Sequence, residues 1–174
     1  MNDATKIYCV DSSAFFHLYY IHKLISINNV WSELDRLFED GKIISHEYVF
    51  DEFYSESSKR DFIQKWIEDK KKYFRTITGK QFDLVNSILE KFPDLIDPEK
   101  EKNQADPWLI ALAIELKEDS SLFGKKEIIV VSQEKISSPK RIPAACKYFK
   151  VDHMNLEDFF KDNGWSFGLK NIGE

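Results

Sequence analysis

The sequence predicts an α/β protein in three layers, an α/β/α sandwich with helices on both faces of a central, mostly parallel sheet. Three observations predict it. Two short apolar runs, KIYCV (6–10) and KEIIVVS (126–132), lack inside–outside alternation, as strands buried on both faces do. Segments with helical spacing stand between the strand-like runs, so each strand should return to the sheet through a right-handed helical crossover. The chain has 174 residues, 43% hydrophobic and 32% charged, which is too apolar for disorder and enough for one sizeable core. One domain over residues 1–174 is expected.

KIYCV is followed by Asp11, Ser12 and Ser13, so it reads as a strand feeding a helix that carries AFFHLYYIHKL. Trp31, Leu34 and Phe38 recur at helical spacing until Gly41 stops the helix, and KIIS (42–45) reads as a short strand. Ser45 is placed to cap a helix running through Tyr54. SSKRDFIQKWIEDKKKYF sets Phe62, Trp66 and Tyr73 on one face of a further helix, and Phe82, Val85, Leu89 and Phe92 repeat the signal. FPDLIDPEKEKNQ (92–104), with two prolines and many charges, is a loop leading to ADPWLIALAIEL, a helix apolar on nearly every side and therefore central. After KEIIVVS, IPAACKYF reads as a short helix, KVDHM as a strand, and LEDFFKDNG as a helix closed by Gly164, with WSF as a final edge strand.

Cys9 and Cys146 lie in apolar contexts without CxxC or Cys/His spacing, which suggests neither a zinc site nor a disulfide framework. MNDATK lacks the apolar core of a signal peptide, and no run approaches the roughly 18 apolar residues of a membrane span. A cytoplasmic protein with no membrane partner is expected. The formal charge of −5 argues against a nonspecific nucleic-acid coat, yet charge is unevenly spread. From Lys135 to Lys150 there are five basic residues, Lys135, Lys140, Arg141, Lys147 and Lys150, and no acid; KKKYFR (70–75) is a second basic cluster.

In parallel sheets of this kind the working site lies beyond the carboxyl ends of the strands, where Asp11 and Glu134 both fall. Each candidate acid also has a structural explanation. Asp11 could cap the next helix, although Ser12 and Ser13 are at hand for that. Asp106, before a proline, is a common way to start a helix. Glu52 borders the apolar face of its helix more closely than Asp51 does. Glu134 could be an ordinary acid in a strand-to-helix loop.

Taken together, the four blocks resemble the PIN-domain family of metal-dependent ribonucleases. YCVDSSAFF matches the acid after the first strand, VFDEF the helical V-x-x-E-L, ADPWLIALA the a-D-x-x-I-A-x-A helix, and VVSQEK the V-T-x-D/N block, in family order. The tail from SSPKRIPAACKYF onward looks like the VapC-like toxin branch of toxin–antitoxin systems. Two departures stand out: Ser132 and Glu134 occupy places where the family usually has Thr and Asp, and Phe53 replaces a Leu.

The resemblance implies a PIN-like fold and an endoribonuclease whose Asp11, Glu52 and Asp106 hold Mg²⁺ or Mn²⁺. Glu134 would complete the site directly or through water, and Ser132, with Ser13, would orient a carboxylate or meet a phosphate. Two carboxylates about 5 Å apart repel by roughly 3 kcal/mol at an effective dielectric near 20, so converging acids need a cation. All-oxygen ligands favour Mg²⁺ or Mn²⁺ over zinc. The implied reaction is hydrolysis of RNA by a metal-activated water, and the three ligand carboxyl groups should lie within metal-bridging reach of one another. Lys135, Lys140, Arg141 and Lys147 would track RNA phosphates. A small antitoxin partner and a homodimer follow from the same resemblance. The rival readings are a catalytically inactive interaction module of the same fold and a phosphatase of the haloacid dehalogenase type. The phosphatase needs a second acid two residues after Asp11, where Ser13 stands.

Overall fold

The β-branched run at 128–131 forms an inner strand of the sheet: Ile128, Ile129, Val130 and Val131 are all buried, and each such side chain contributes roughly 1.5–3 kcal/mol by leaving water. The computed structural model describes residues 5–22, 25–26, 30–55, 61–100, 104–123, 126–134, 140–165 and 168–169. In chain order the elements are β1 (Thr5–Val10), α1 (Ser12–His22), β2 (Ile25–Ser26), α2 (Val30–Glu39), β3 (Ile43–His46), α3 (Glu47–Ser55), α4 (Asp61–Glu68), β4 (Phe74–Arg75), α5 (Gly79–Lys91), α6 (Asp106–Phe123), β5 (Lys126–Val131), α7 (Ile142–Tyr148), β6 (Asp152–Met154), α8 (Leu156–Asp162) and β7 (Gly168–Leu169). Five strands form an all-parallel sheet in the order β4-β3-β1-β5-β6. The fold is the expected three-layer α/β/α sandwich.

Strand order grows outward from β1 in both directions, through β3 and β4 on one side and β5 and β6 on the other. The point of reversal lies between β1 and β5, where such sheets open a crevice at their carboxyl ends. Helices α1 to α4 gather on one face, where Phe15 of α1 meets Phe38, Phe53 and Trp66 of the other three and Phe38 meets Trp66. On the other face α6 packs against β1, β3 and β5 as well as α5 and α7. Its Leu109, Ile110, Ala111 and Ala113 are fully buried, as its all-round apolar sequence requires. α8 anchors to β1: the Phe159 ring meets Tyr8 edge-on, and the Tyr8 hydroxyl donates to Asp162 Oδ2 at 2.5 Å.

Several element boundaries differ from the sequence reading. Gly41, at φ +67°, ends α2 as expected, with Gly41 N–H on Phe38 O at 3.0 Å and Lys42 N–H on Leu37 O at 2.8 Å. Ser45 is a strand residue rather than a cap: its buried hydroxyl donates to Val10 O at 2.7 Å and ties β3 to β1. The cap of α3 is His46, whose Nδ1 accepts the Tyr48 N–H at 3.1 Å. The long helix expected through Tyr73 ends at Glu68, and Phe74 and Arg75 form the edge strand β4, too short to show a pattern. The buried stripes of α4 and α5 are Ile63 and Ile67, and Gln81, Val85 and Ile88; Phe62 and Phe82 face solvent. β2 and β7 pair antiparallel in a separate two-stranded sheet, whereas residues 166–167 of the expected WSF strand lie outside the described residues. No described helix is long and apolar enough to cross a membrane.

Candidate active site

β1 and β5 run in register from Thr5↔Lys126 to Val10↔Val131, so the residues that follow emerge side by side at the crevice. Asp11 N–H donates to Val131 O at 2.9 Å, which fixes its backbone as a continuation of the strand. The side chain has two distinct environments. Oδ2 accepts the Ser13 N–H at 3.0 Å and the Ser13 hydroxyl at 2.5 Å, the capping job at the start of α1. Oδ1 is buried and has no hydrogen-bond partner among the described residues. A cap needs one oxygen, and the second is left over.

Ser13 does more than hold Asp11, because its oxygen also accepts the Gln133 N–H at 3.0 Å and so ties the end of β1 to the loop after β5. Glu52, half-buried on α3 beside the exposed Asp51, accepts a short hydrogen bond from the Ser12 hydroxyl and the Ala105 N–H at 3.4 Å. That second bond links α3 to the first residue before α6. Asp106 opens α6 half-buried, and its carboxylate makes no hydrogen bond among the described residues, so it is not spent as a cap. Glu134 sits in the β5–α7 loop: Oε2 accepts the Ile142 N–H at 2.9 Å, and Oε1 faces Arg141 Nη1 at 3.6 Å.

A family model described as Domain of unknown function (DUF4411) matches residues 8–167. The chain belongs to this family. No curated protein matches the sequence. The matched span of the DUF4411 domain contains all four acids, and it begins and ends with the parallel sheet and the helix that follows it.

The four carboxylates of this DUF4411 chain share one electrostatic environment. Burial, then the charges of Asp11, Glu134 and Glu52, hold the Asp106 carboxyl well above the usual carboxylate range, with Arg141 pulling the other way. Glu52 is pushed up to about 7 by burial first and by the charge of Asp11 second. Burial raises Asp11 against the pull of the Ser13 donors, and it raises Glu134 against that of the Ile142 N–H. Charges that act on one another in this way come from two helices, α3 and α6, and from the turns that follow β1 and β5. The expected bridging arrangement is nevertheless not preassembled: among the described residues no group of three or more His, Cys, Asp or Glu side chains is poised to hold a metal ion. Ser12 on Glu52 and Ile142 on Glu134 keep two of the carboxylates turned to protein donors. The donor set is all oxygen, and Asp11 Oδ1 is buried without a partner, which fits a hard divalent cation.

Ser132 is fully buried, and its hydroxyl meets His153 Nε2 at 2.9 Å instead of a carboxylate. Ser13 occupies the orienting position. Of the basic candidates, Lys140 pairs with Asp94 at 3.0 Å, Arg141 faces Glu134, Lys147 is exposed on α7, and Lys135 lies outside the described residues. Sequence reasoning did not single out Lys100, whose charge lowers the pKa of Glu52, nor His46, which is buried against the Trp108 ring at 5.6 Å. The DSS tripeptide carried a signal for Ser12, since a helix needs one cap and the sequence offered three. Nothing local marks Lys100, which reaches Glu52 only through the fold.

Proposed function

We propose that this protein is a PIN-type, metal-dependent endoribonuclease of the toxin kind, acting on RNA phosphodiester bonds. What supports the reading is that Asp11 and Glu134 follow the paired strands β1 and β5, that the charges of Asp11, Glu134 and Glu52 act on Asp106, and that Asp11 Oδ1 is buried without a partner among the described residues. Buried acids that raise one another's pKa cost the fold stability, and such arrangements cluster at functional sites. The order of the four sequence blocks supports the same reading.

Asp11, Glu52 and Asp106 would hold Mg²⁺ or Mn²⁺, with Glu134 at the edge of the set. When bound, the cation supplies charge neutralisation, a more acidic water and polarisation of a phosphoryl oxygen. The protein's own part is positional. Ser13 fixes Asp11 through Oδ2 and leaves Oδ1 without a donor among the described residues. Ser12 and the Ala105 N–H hold Glu52 toward the start of α6, where Asp106 stands. The buried walls, Val10 and Val131 beneath and Ala105 beside, limit solvent around these oxygens. A small antitoxin, a homodimer and a cytoplasmic location belong to this reading.

The test is cleavage of structured and single-stranded RNAs in Mg²⁺ or Mn²⁺ by the native protein and by Asp11→Asn. Cleavage is expected from the native protein alone, and chelator should abolish it. Equal cleavage by both proteins, or activity that survives chelator, would contradict the mechanism; no cleavage by either favours the inactive interaction module.

A further inference from the structure

The Glu134–Arg141 corner is built differently from the rest of the site. Both oxygens of Glu134 face protein donors, the Ile142 N–H at 2.9 Å and Arg141 Nη1 at 3.6 Å. The backbone of Arg141 is fixed too: it caps α7, and its carbonyl accepts from Ala144 at 3.0 Å and Ala145 at 3.2 Å. The side chain therefore leaves a rigid base and is 54% exposed. At 3.6 Å the contact with Glu134 is an ion pair too long for a hydrogen bond, so the N–H fork is unspent among the described residues. The neighbouring Lys140 instead pairs at the surface with Asp94 at 3.0 Å. The Arg141 charge also reaches Asp106, where it opposes the effect of the surrounding acids.

We propose that Arg141 grips the substrate phosphodiester at the lip of the acidic crevice, and that Glu134 is its positioning residue and not a ligand of the cation. The identity of the substrate rests on the nuclease reading above. A planar guanidinium matches two phosphate oxygens at once, which an ammonium cannot do. The loose contact with Glu134 aims the fork without satisfying it, so an arriving phosphate competes with a weak partner. Recruiting Glu134 to a cation would instead cost the helix cap and release Arg141 together. The acid-lined crevice repels RNA, and a fixed cation at its lip offsets that repulsion where the backbone must enter.

Two binding measurements test this: Mn²⁺ uptake by calorimetry, and binding of a fluorescent single-stranded RNA oligonucleotide in Ca²⁺ over a salt series. Arg141→Ala should weaken RNA binding about 10-fold and flatten the salt dependence by roughly 0.7 in log–log slope, with Arg141→Lys recovering only part. In a Glu134→Gln background the same change should cost less than about 3-fold, because the fork is no longer aimed. Glu134→Gln keeps an oxygen for the Ile142 N–H, so its melting temperature should be unchanged, and its Mn²⁺ affinity should stay within about 3-fold of native while Asp11→Asn loses more than about 10-fold. Loss of Mn²⁺ binding in Glu134→Gln, native RNA affinity in Arg141→Ala, or equal costs in both backgrounds would overturn the proposal. If the native protein takes up no Mn²⁺, or Asp11→Asn takes up as much, the metal-dependent reading falls while the RNA measurements still decide Arg141. A native protein that binds no RNA sinks both.

Discussion

Asp11 answers two demands with one carboxylate. Its Oδ2 is a helix cap, and its Oδ1 is a buried acceptor without a donor among the described residues, so the structural reading and the proposed role apply to different atoms. The same division explains why Ser13 matters more than a spare cap would. Its hydroxyl gives its proton to Asp11 and takes the Gln133 N–H, joining the two strand ends that form the crevice. Ser13→Ala should cost about 1–2 kcal/mol of stability and about 10-fold in Mn²⁺ affinity, by denaturant unfolding and calorimetry. A loss of stability with native Mn²⁺ affinity would make Ser13 structural only. All four acids were legible in the sequence because each ends an apolar strand or borders an apolar helix face. The partners were not, since the Ser12–Glu52, Ala105–Glu52 and Ser132–His153 contacts join residues 21 to 53 positions apart.

At the scale of elements, the strands were the most legible because burial on both faces writes an unbroken apolar run. β5 shows this, with its last four residues buried. Helix faces were read less well. Val85 of the expected α5 stripe is buried, but Phe62 and Phe82, expected on the buried faces of α4 and α5, are exposed, and Ile63, Ile67 and Ile88 fill the core instead. Periodicity locates a stripe only to within one residue, and large rings can border either side of it. Ser45 was misassigned for a related reason: serine is common at helix starts, but here its hydroxyl reaches the Val10 carbonyl across the β3–β1 junction. Ser45→Ala should destabilise the protein by about 1–2 kcal/mol, because the side chain is wholly buried and Val10 O loses a donor. A change below about 0.5 kcal/mol in the denaturation midpoint analysis would show that this bond does not pin the strand end.

For the whole molecule, the acidic crevice sets how stability responds to pH. Folding raises the Glu52 pKa from 4.5 to about 7, so between those values the native state holds more protons than the unfolded chain. Stability from this group therefore falls as pH rises through that window. His46 and His153, each lowered by burial to about 4, contribute the opposite slope between about 4 and 6.5, as their neutral native forms resist protonation. Comparison with Glu52→Gln cancels the histidine contribution. The variant should gain on the native protein by up to about 3 kcal/mol between pH 4.5 and pH 8, and saturating Mn²⁺ should stabilise the native protein more than the variant. A stability difference that does not change with pH would mean that Glu52 is not held among other acids.

The fold class followed from the alternation of strands and helices, and DUF4411 membership spans that same alternation. The site depends on a fact of topology that no local pattern contains: strand order reverses between β1 and β5, which brings Asp11 beside the loop of Glu134. The most direct measurement is anomalous diffraction at the manganese edge from crystals soaked in Mn²⁺. A strong peak within bonding distance of Asp11 Oδ1, shared with Asp106 and Glu52, is the result expected. Ordered crystals that take up Mn²⁺ only elsewhere, or none at saturating concentration, would contradict a cation site in this crevice.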